Sequence, residues 1–291
     1  MSIGQRVLLG KFGRHLILSF AMAGGTSPLA KDLKDSLLGS GHEVHVFSRS
    51  MGISNVLNYK ELETRSFDVL VNLIGGHSST MDDSDVKSIL DLSENLVNVA
   101  KSRNIPLVHV SSGSVLGTLD SPASNEHPRV SGKFSTRYQE AKVRIEQMHD
   151  SYRHLVPIAD LRLFSFAGPH FLRDSDYFLS RLCVAAKDKT DFKVAGRGFL
   201  RDFTGPHELA SAIELAVQNE FSGTANLFSE EPASRSQILD LFADQFELTF
   251  QSEEALVDQE IYCASRSFDL SGFSPRSSLE VISSEYVRAF G

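Results

Sequence analysis

Cysteine is scarce: Cys183 and Cys263 are the only two in a chain of 291 residues. That is too few, and too widely separated, for a disulfide framework or a zinc site, so packed, reduced thiols in a cytoplasm-like compartment are expected and no metal site is predicted. Dense basic clusters are also missing. With 29 Lys+Arg against 37 Asp+Glu, a net charge of −8 and a pI near 5.7, no segment can neutralise several phosphates together. This argues against a nucleic-acid or anionic-membrane surface and leaves any phosphate to one local site. Long apolar runs are absent too: the one from Leu16 to Ala23 is far too short to span a bilayer, and the N-terminus lacks the pattern of a signal peptide. Internal repeats, low-complexity tracts and long linkers are not found.

What is present is ordinary for a globular protein, at 41% hydrophobic and 23% charged residues, with enough chain for a large domain and a smaller one. The apolar run from His15 to Ala23 leads into Gly24-Gly25-Thr26-Ser27-Pro28, then into helical spacing from Leu29 to Leu38. Ser27 suits an N-cap and Pro28 a first helical turn. A second strand, Gly41 to Phe47, completes a βαβ unit with parallel strands. The turn after the first strand of such a unit offers backbone N–H groups and a helix N-terminus to an anion, usually a dinucleotide pyrophosphate. The glycine pattern is incomplete, reading Gly24-x-x-Ser27-x-x-Ala30. A Cβ at Ser27 limits how closely backbone and pyrophosphate approach. Residues 1–14 are read as an extension.

At the end of the second strand an acidic residue would bind ribose hydroxyls. Here the chain reads Ser48-Arg49-Ser50. Arg49 between two hydroxyls suits a 2′-phosphate, which favours NADP over NAD. A third strand, Phe67 to Ile74, runs into Gly75-Gly76-His77. Its glycines allow a ligand to come close, at the strand end where open α/β sheets bind. His77 reads as a solvated turn residue. A long amphipathic helix from Ser84 to Lys101 and a strand from Ile105 to Val110 follow, ending in Ser111-Ser112-Gly113-Ser114-Val115-Leu116-Gly117. Serines at a strand end either cap a turn or hydrogen-bond a substrate oxygen. Tyr138 and Lys142 stand four apart on a helix, one above the other on one face. An ammonium there stabilises a phenolate, the requirement for tyrosine acid/base chemistry near neutral pH. The pair alone would equally describe a solvated amphipathic face.

The order of these features resembles the extended short-chain dehydrogenase/reductase superfamily, the branch of NAD(P)-dependent sugar-nucleotide epimerases, dehydratases and reductases. The resemblance rests on Gly24, Gly41-His42-Glu43-Val44, Val110-Ser111-Ser112 with Val115-Leu116-Gly117, Tyr138-x-x-x-Lys142 and Leu161 to Pro169. Arg201-Asp202-Phe203, Gly223 to Leu227 and Pro275 to Glu280 extend it over nearly the whole chain. It implies a Rossmann-type doubly wound parallel sheet over residues 1–169, with returning segments near 195–228, and a smaller substrate-binding lobe mainly over 170–291. Phenylalanines of that lobe are expected in its core.

The resemblance implies that Ser112 binds the reacting oxygen, that Tyr138 is the general acid/base, and that Lys142 holds the nicotinamide ribose and lowers the tyrosine's pKa. It makes Gly24, Ser27, Arg49, Gly75 and Lys142 cofactor-binding, and Ser112 and Arg201 substrate-binding, Arg201 at a nucleotide diphosphate. Three positions depart from the family pattern: the incomplete glycine turn, Leu116 where many members carry tyrosine, and Ser165 where asparagine is common. Gly113 and Ser114 replace the Asp-Glu pair used for water elimination, which argues against dehydration. The leading expectation is an NADP-dependent reductase of a nucleotide-linked (4-keto-6-deoxy) sugar, with NAD possible. The alternatives are a nucleotide-sugar epimerase and an inactive dinucleotide-binding regulatory protein. A cytoplasmic homodimer is expected by analogy.

Overall fold

The apolar run before the glycine turn folds as β1 (Ser19–Ala23), buried over four of its five residues. Ser27 then caps α1 (Pro28–Gly39) by accepting a hydrogen bond from the Ala30 N–H, with Pro28 at the start of the helix. In this computed structural model the described residues are 16–48, 56–75, 81–194, 197–252, 259–265 and 270–291. The expected βαβ unit closes with β2 (Glu43–Ser48), parallel to β1. The chain continues through β3 (Val56–Asn58), a short strand not anticipated from periodicity, and β4 (Val69–Asn72). Then come α2 (Asp83–Arg103), started by an Asp82 capping box, and β5 (Leu107–Ser112). After α3 (Arg137–Tyr152), capped by Thr136, follows β6 (Ile158–Leu163).

The C-terminal part alternates short strands with helices: β7 (Ser165–Phe166), α4 (Pro169–Asp174), α5 (Phe178–Asp188), β8 (Phe192–Val194), β9 (Gly198–Arg201) and β10 (Phe203–Thr204). Next are α6 (Pro206–Gln218), β11 (Gly223–Asn226), β12 (Ala233–Ser234), α7 (Arg235–Phe246), β13 (Phe250–Ser252), β14 (Gln259–Tyr262) and α8 (Ser278–Phe290).

Seven strands form one sheet in the order β11-β6-β5-β4-β1-β2-β3, all parallel. The strand order reverses at β1, so a crevice opens at the carboxyl ends of β1 and β4, where open α/β sheets bind ligands. One face of the sheet packs Phe20, Met22, Val71, Val108 and Leu161 against α1 and α6. The other packs Leu70, Leu107 and Ile158 against α2 and α3. A third apolar cluster joins α5, α7 and α8 with Phe192, Phe199 and Phe203, so these phenylalanines are core, as expected. Cys183 and Cys263 are buried and unpaired with each other. No helix among the described residues is long and apolar enough to cross a membrane.

The face toward α2 and α3 is apolar only at its amino-terminal end. Asn72, His109, Asp160 and Thr224 are register partners across β4, β5, β6 and β11, which makes one polar row through the buried sheet. One step further on, Ser111, Arg162 and Asn226 form a second.

Candidate active site

The serine segment, the tyrosine helix and two glycine turns meet at the crevice. Gly24 has φ +85°, and a Cβ on it would come within 2.9 Å of the Ile74 backbone nitrogen. Only glycine fits there without moving the next turn. That turn, Ile74–Gly75, is itself fixed by Asn72, whose Oδ1 accepts from the Ile74 N–H at 2.9 Å and whose Nδ2 donates to Ser93. A Cβ on Gly75 would meet the Tyr138 ring at 3.6 Å and the Lys142 side chain at 3.9 Å. The α1 N-terminus, the two glycine turns and an adjacent ammonium are the donor set a dinucleotide requires, so these residues fit an NAD(P) cofactor. Ser27 lies on this rim, exposed, with its Oγ already engaged as the helix cap. Arg49 and His77 lie outside the described residues.

Ser112 closes β5 and is buried. Its Oγ accepts from the Ser114 N–H at 3.2 Å and sits 3.3 Å from the Tyr262 hydroxyl. Tyr138 reaches the same serine. Burial is the largest effect on the phenol and pushes its pKa up; the nearby Tyr262 adds to this, and the Ser112 hydrogen bond opposes it. This is opposite to the lowering expected from Lys142, whose ammonium stands 5.9 Å from the ring centroid. Lys142 is buried and donates to the Ile74 carbonyl (3.1 Å) and the Val110 carbonyl (2.8 Å), with His109 Nε2 at 3.1 Å. Burial brings its pKa down to about 8, while the carboxylates of Asp160 and Glu146 resist that fall.

Behind the pair, α3 continues a polar stripe. Tyr138, Lys142, Glu146, His149 and Arg153 recur three or four residues apart, the spacing of one helix face. Glu146 accepts from Ser111 Oγ at 2.6 Å and from Arg162 Nη2 at 2.7 Å. His149 Nδ1 lies 2.7 Å from Asp160 Oδ1, and Arg153 pairs with the other oxygen of Asp160. Despite its burial, Asp160 is held well below the ordinary carboxylate range by His149 and His109.

Arg201, at the end of β9, stacks over Phe199 at 4.7 Å and lies 5.5 Å from the Tyr262 ring. Its guanidinium donates to Glu260, while its buried Nε has no hydrogen-bond partner among the described residues. Tyr262 therefore links Arg201 to Ser112.

Sequence reading missed Tyr262, His109, Asp160 and Gln139. The last clamps the serine turn to α3 by donating to the Ser114 carbonyl at 2.7 Å. Two of them carried a signal: His109 and Asp160 are polar residues inside otherwise apolar strands, and a buried polar residue is the informative kind.

The profile of the NAD dependent epimerase/dehydratase family matches residues 21–227. The chain belongs to that family. It is thus an NAD(P)-dependent enzyme of the short-chain dehydrogenase/reductase type, as its motifs implied. No curated protein matches the chain in a sequence search. Among solved structures, UDP-N-acetylglucosamine 4-epimerase from Bacillus cereus is similar, with a TM-score of 0.78 at 18% identity over 94% of this chain and 100% of that one. UDP-glucose 4-epimerase from Brucella ovis in complex with NAD gives 0.76 at 16% identity over 93% and 98%. A Bordetella bronchiseptica enzyme in complex with NAD and UDP gives 0.71 at 16% identity over 95% and 96%. At these identities the family member shares their fold.

Proposed function

We propose that this enzyme interconverts a hydroxyl and a ketone on a nucleotide-linked sugar, with Tyr138 exchanging the proton and Ser112 holding the reacting oxygen. The observation that carries this reading is the meeting of Ser112, Tyr138, Lys142 and Gly75 at the crevice where β1 and β4 end. An NAD(P) cofactor held there would supply or take the hydride. Lys142, whose three N–H groups are directed at Ile74, Val110 and His109, would set its positive charge beside the ribose at the Gly75 turn, and Gly24, Ser27 and the α1 N-terminus would hold the pyrophosphate. Arg201, with a buried N–H unspent, binds the substrate diphosphate. The substrate lies between a cofactor domain ending near residue 169 and the lobe that carries Arg201 and Tyr262.

Net reduction of a keto-sugar is the reading favoured by the end of the second strand. The acid-free Ser48-Arg49-Ser50 favours NADP as the reductant. Epimerisation with retained NAD is the second reading, favoured by the likeness to two UDP-sugar 4-epimerases. Stoichiometry separates the two. Incubated with NADPH and a nucleotide-linked 4-keto sugar, a reductase oxidises one NADPH per sugar. Isomerisation of a nucleotide sugar without net NADPH consumption would replace that reading with the second, and Arg49→Glu is expected to shift cofactor preference toward NAD.

A homodimer through the tyrosine helix follows from family analogy alone. The exposed side chains of α3 include Arg137 and Arg144, both in ion pairs with Glu140, so such an interface would be polar. Light scattering at several protein concentrations tests it.

A further inference from the structure

Lys142 can donate three hydrogen bonds and accept none. Two go to main-chain carbonyls, Ile74 and Val110, and the third faces His109 Nε2 at 3.1 Å. That nitrogen must therefore offer its lone pair. The other ring nitrogen, Nδ1, lies 2.8 Å from Asp160 Oδ1, so the carboxylate places the ring's single proton on Nδ1 and leaves Nε2 as the acceptor. Both imidazoles and Asp160 are fully buried, and His109 and Asp160 are register partners on adjacent strands. A buried imidazolium would point an N–H at the ammonium. Burial and the Lys142 charge accordingly bring the His109 pKa down to about 3, against the pull of Asp160.

The ligand atoms of His109, His149 and Asp160 lie within 4.8 Å of one another, a spacing a cation could use. Those atoms are already spent, however. Asp160 Oδ1 faces both imidazole Nδ1 atoms, Oδ2 faces the Arg153 guanidinium, and His109 Nε2 faces an ammonium. Two cations against the set leave a metal ion no favourable charge. Among the described residues, the charged or titratable groups around Lys142 and His109 are Tyr138, Glu146 and His149 from α3, Arg153 just after it, and Asp160 and Arg162 from β6. His109 itself, with Nε2 at 3.1 Å, is the side chain placed to set the direction of the lysine's third N–H.

We propose that His109, oriented by Asp160, is a positioning residue for Lys142. It holds the ammonium beside Gly75 and Tyr138 and keeps it protonated at working pH. This rests on the proposed role of Lys142 at the cofactor ribose. A hydrogen-bond acceptor stabilises the charged form of a base, so removing it must lower the lysine's pKa.

The test has two parts on the full chain. In protein labelled with nitrogen-15 at histidine, with His109→Gln identifying the signal, the His109 ring is expected as the Nδ1–H tautomer from pH 8 down to pH 5. Its Nε2 shift is expected to move in Lys142→Met. An Nε2–H tautomer, an imidazolium above pH 5, or displacement of the His109 and His149 signals by added zinc ion would overturn the proposal. The second part follows NADH and NADPH binding by fluorescence against pH. The alkaline fall in affinity is expected to move down by about one pH unit in His109→Leu and to stay near wild type in His109→Gln, where an amide oxygen can still accept. A destabilised but correctly placed site would lose active fraction without moving that limb. An unshifted limb in His109→Leu would sink the positioning role. Wild type that binds neither cofactor would instead defeat the proposed function, and the ring-nitrogen signals would still decide the state of His109.

Discussion

A phenol that keeps its proton and a lysine that has lost part of its basicity are the two ends of the Tyr138–Lys142 pair. Replacing the tyrosine removes the proton donor and little else, because the ring still packs against Gly75. Tyr138→Phe is expected to lower kcat by about 10²–10⁴-fold with cofactor affinity within about twofold of wild type, read by turnover assay beside fluorescence titration. Asp160 is the residue whose loss should be felt in stability instead. It compensates His109, His149 and Arg153, and removing one partner of a buried charge network costs roughly 3–5 kcal/mol. Asp160→Leu is therefore expected to lower the urea unfolding free energy by that order. The Tyr138–Lys142 spacing was legible in the sequence because a helix repeats locally. The His109 partner of Lys142 was not, since the strand residue that meets the lysine is fixed by sheet register between segments far apart in sequence.

At the scale of the element, the glycine turn and the α1 cap pull in different directions. Ser27 Oγ caps the Ala30 N–H, while its Cβ stands where the full glycine pattern would let a pyrophosphate approach. Ser27→Gly is expected to tighten NAD(P)H binding and to cost only a few tenths of a kcal/mol, since glycine is a tolerable cap. Titration and thermal unfolding of the same sample check both signs. Gly24→Ala tests the opposite case. With φ at +85° and a backbone atom 2.9 Å from the new Cβ, it is expected to lose both cofactor affinity and about 1–2 kcal/mol of stability. The alternation of strands and helices around this turn was readable because glycine and proline punctuate it and buried strands run apolar. The short strands of the C-terminal part were not readable. β9 pairs with β12 and β14, and β8 with β13, and runs of two to four residues carry no period of their own.

For the whole molecule, the buried histidine couples stability to acidity. His109 has a pKa near 3 in the folded chain against an ordinary 6.5, so below 6.5 the unfolded chain binds a proton that the folded one refuses. Stability must then fall as pH drops from about 6.5 toward 3, by at most about 1.4 kcal/mol per pH unit for this one proton. Lys142 works at the other limb. Its folded pKa near 8 lies below the ordinary 10.5, so its burial penalty shrinks as pH rises through that window. Urea midpoints from pH 4 to 7 for wild type and His109→Gln are expected to converge at the acid end, because the variant lacks the proton-linked loss.

The polar row that crosses four strands also bears on how the chain finds this sheet. Asn72, His109, Asp160 and Thr224 stand opposite one another in register. A one-residue slip of any of these strands would turn its polar member to the opposite face, among Val71, Val108 and Leu161. Mispaired sheets are thereby penalised several times over, once for each strand out of step. A protein whose row were replaced by valines could be the more stable, yet would tolerate alternative pairings that this sequence forbids.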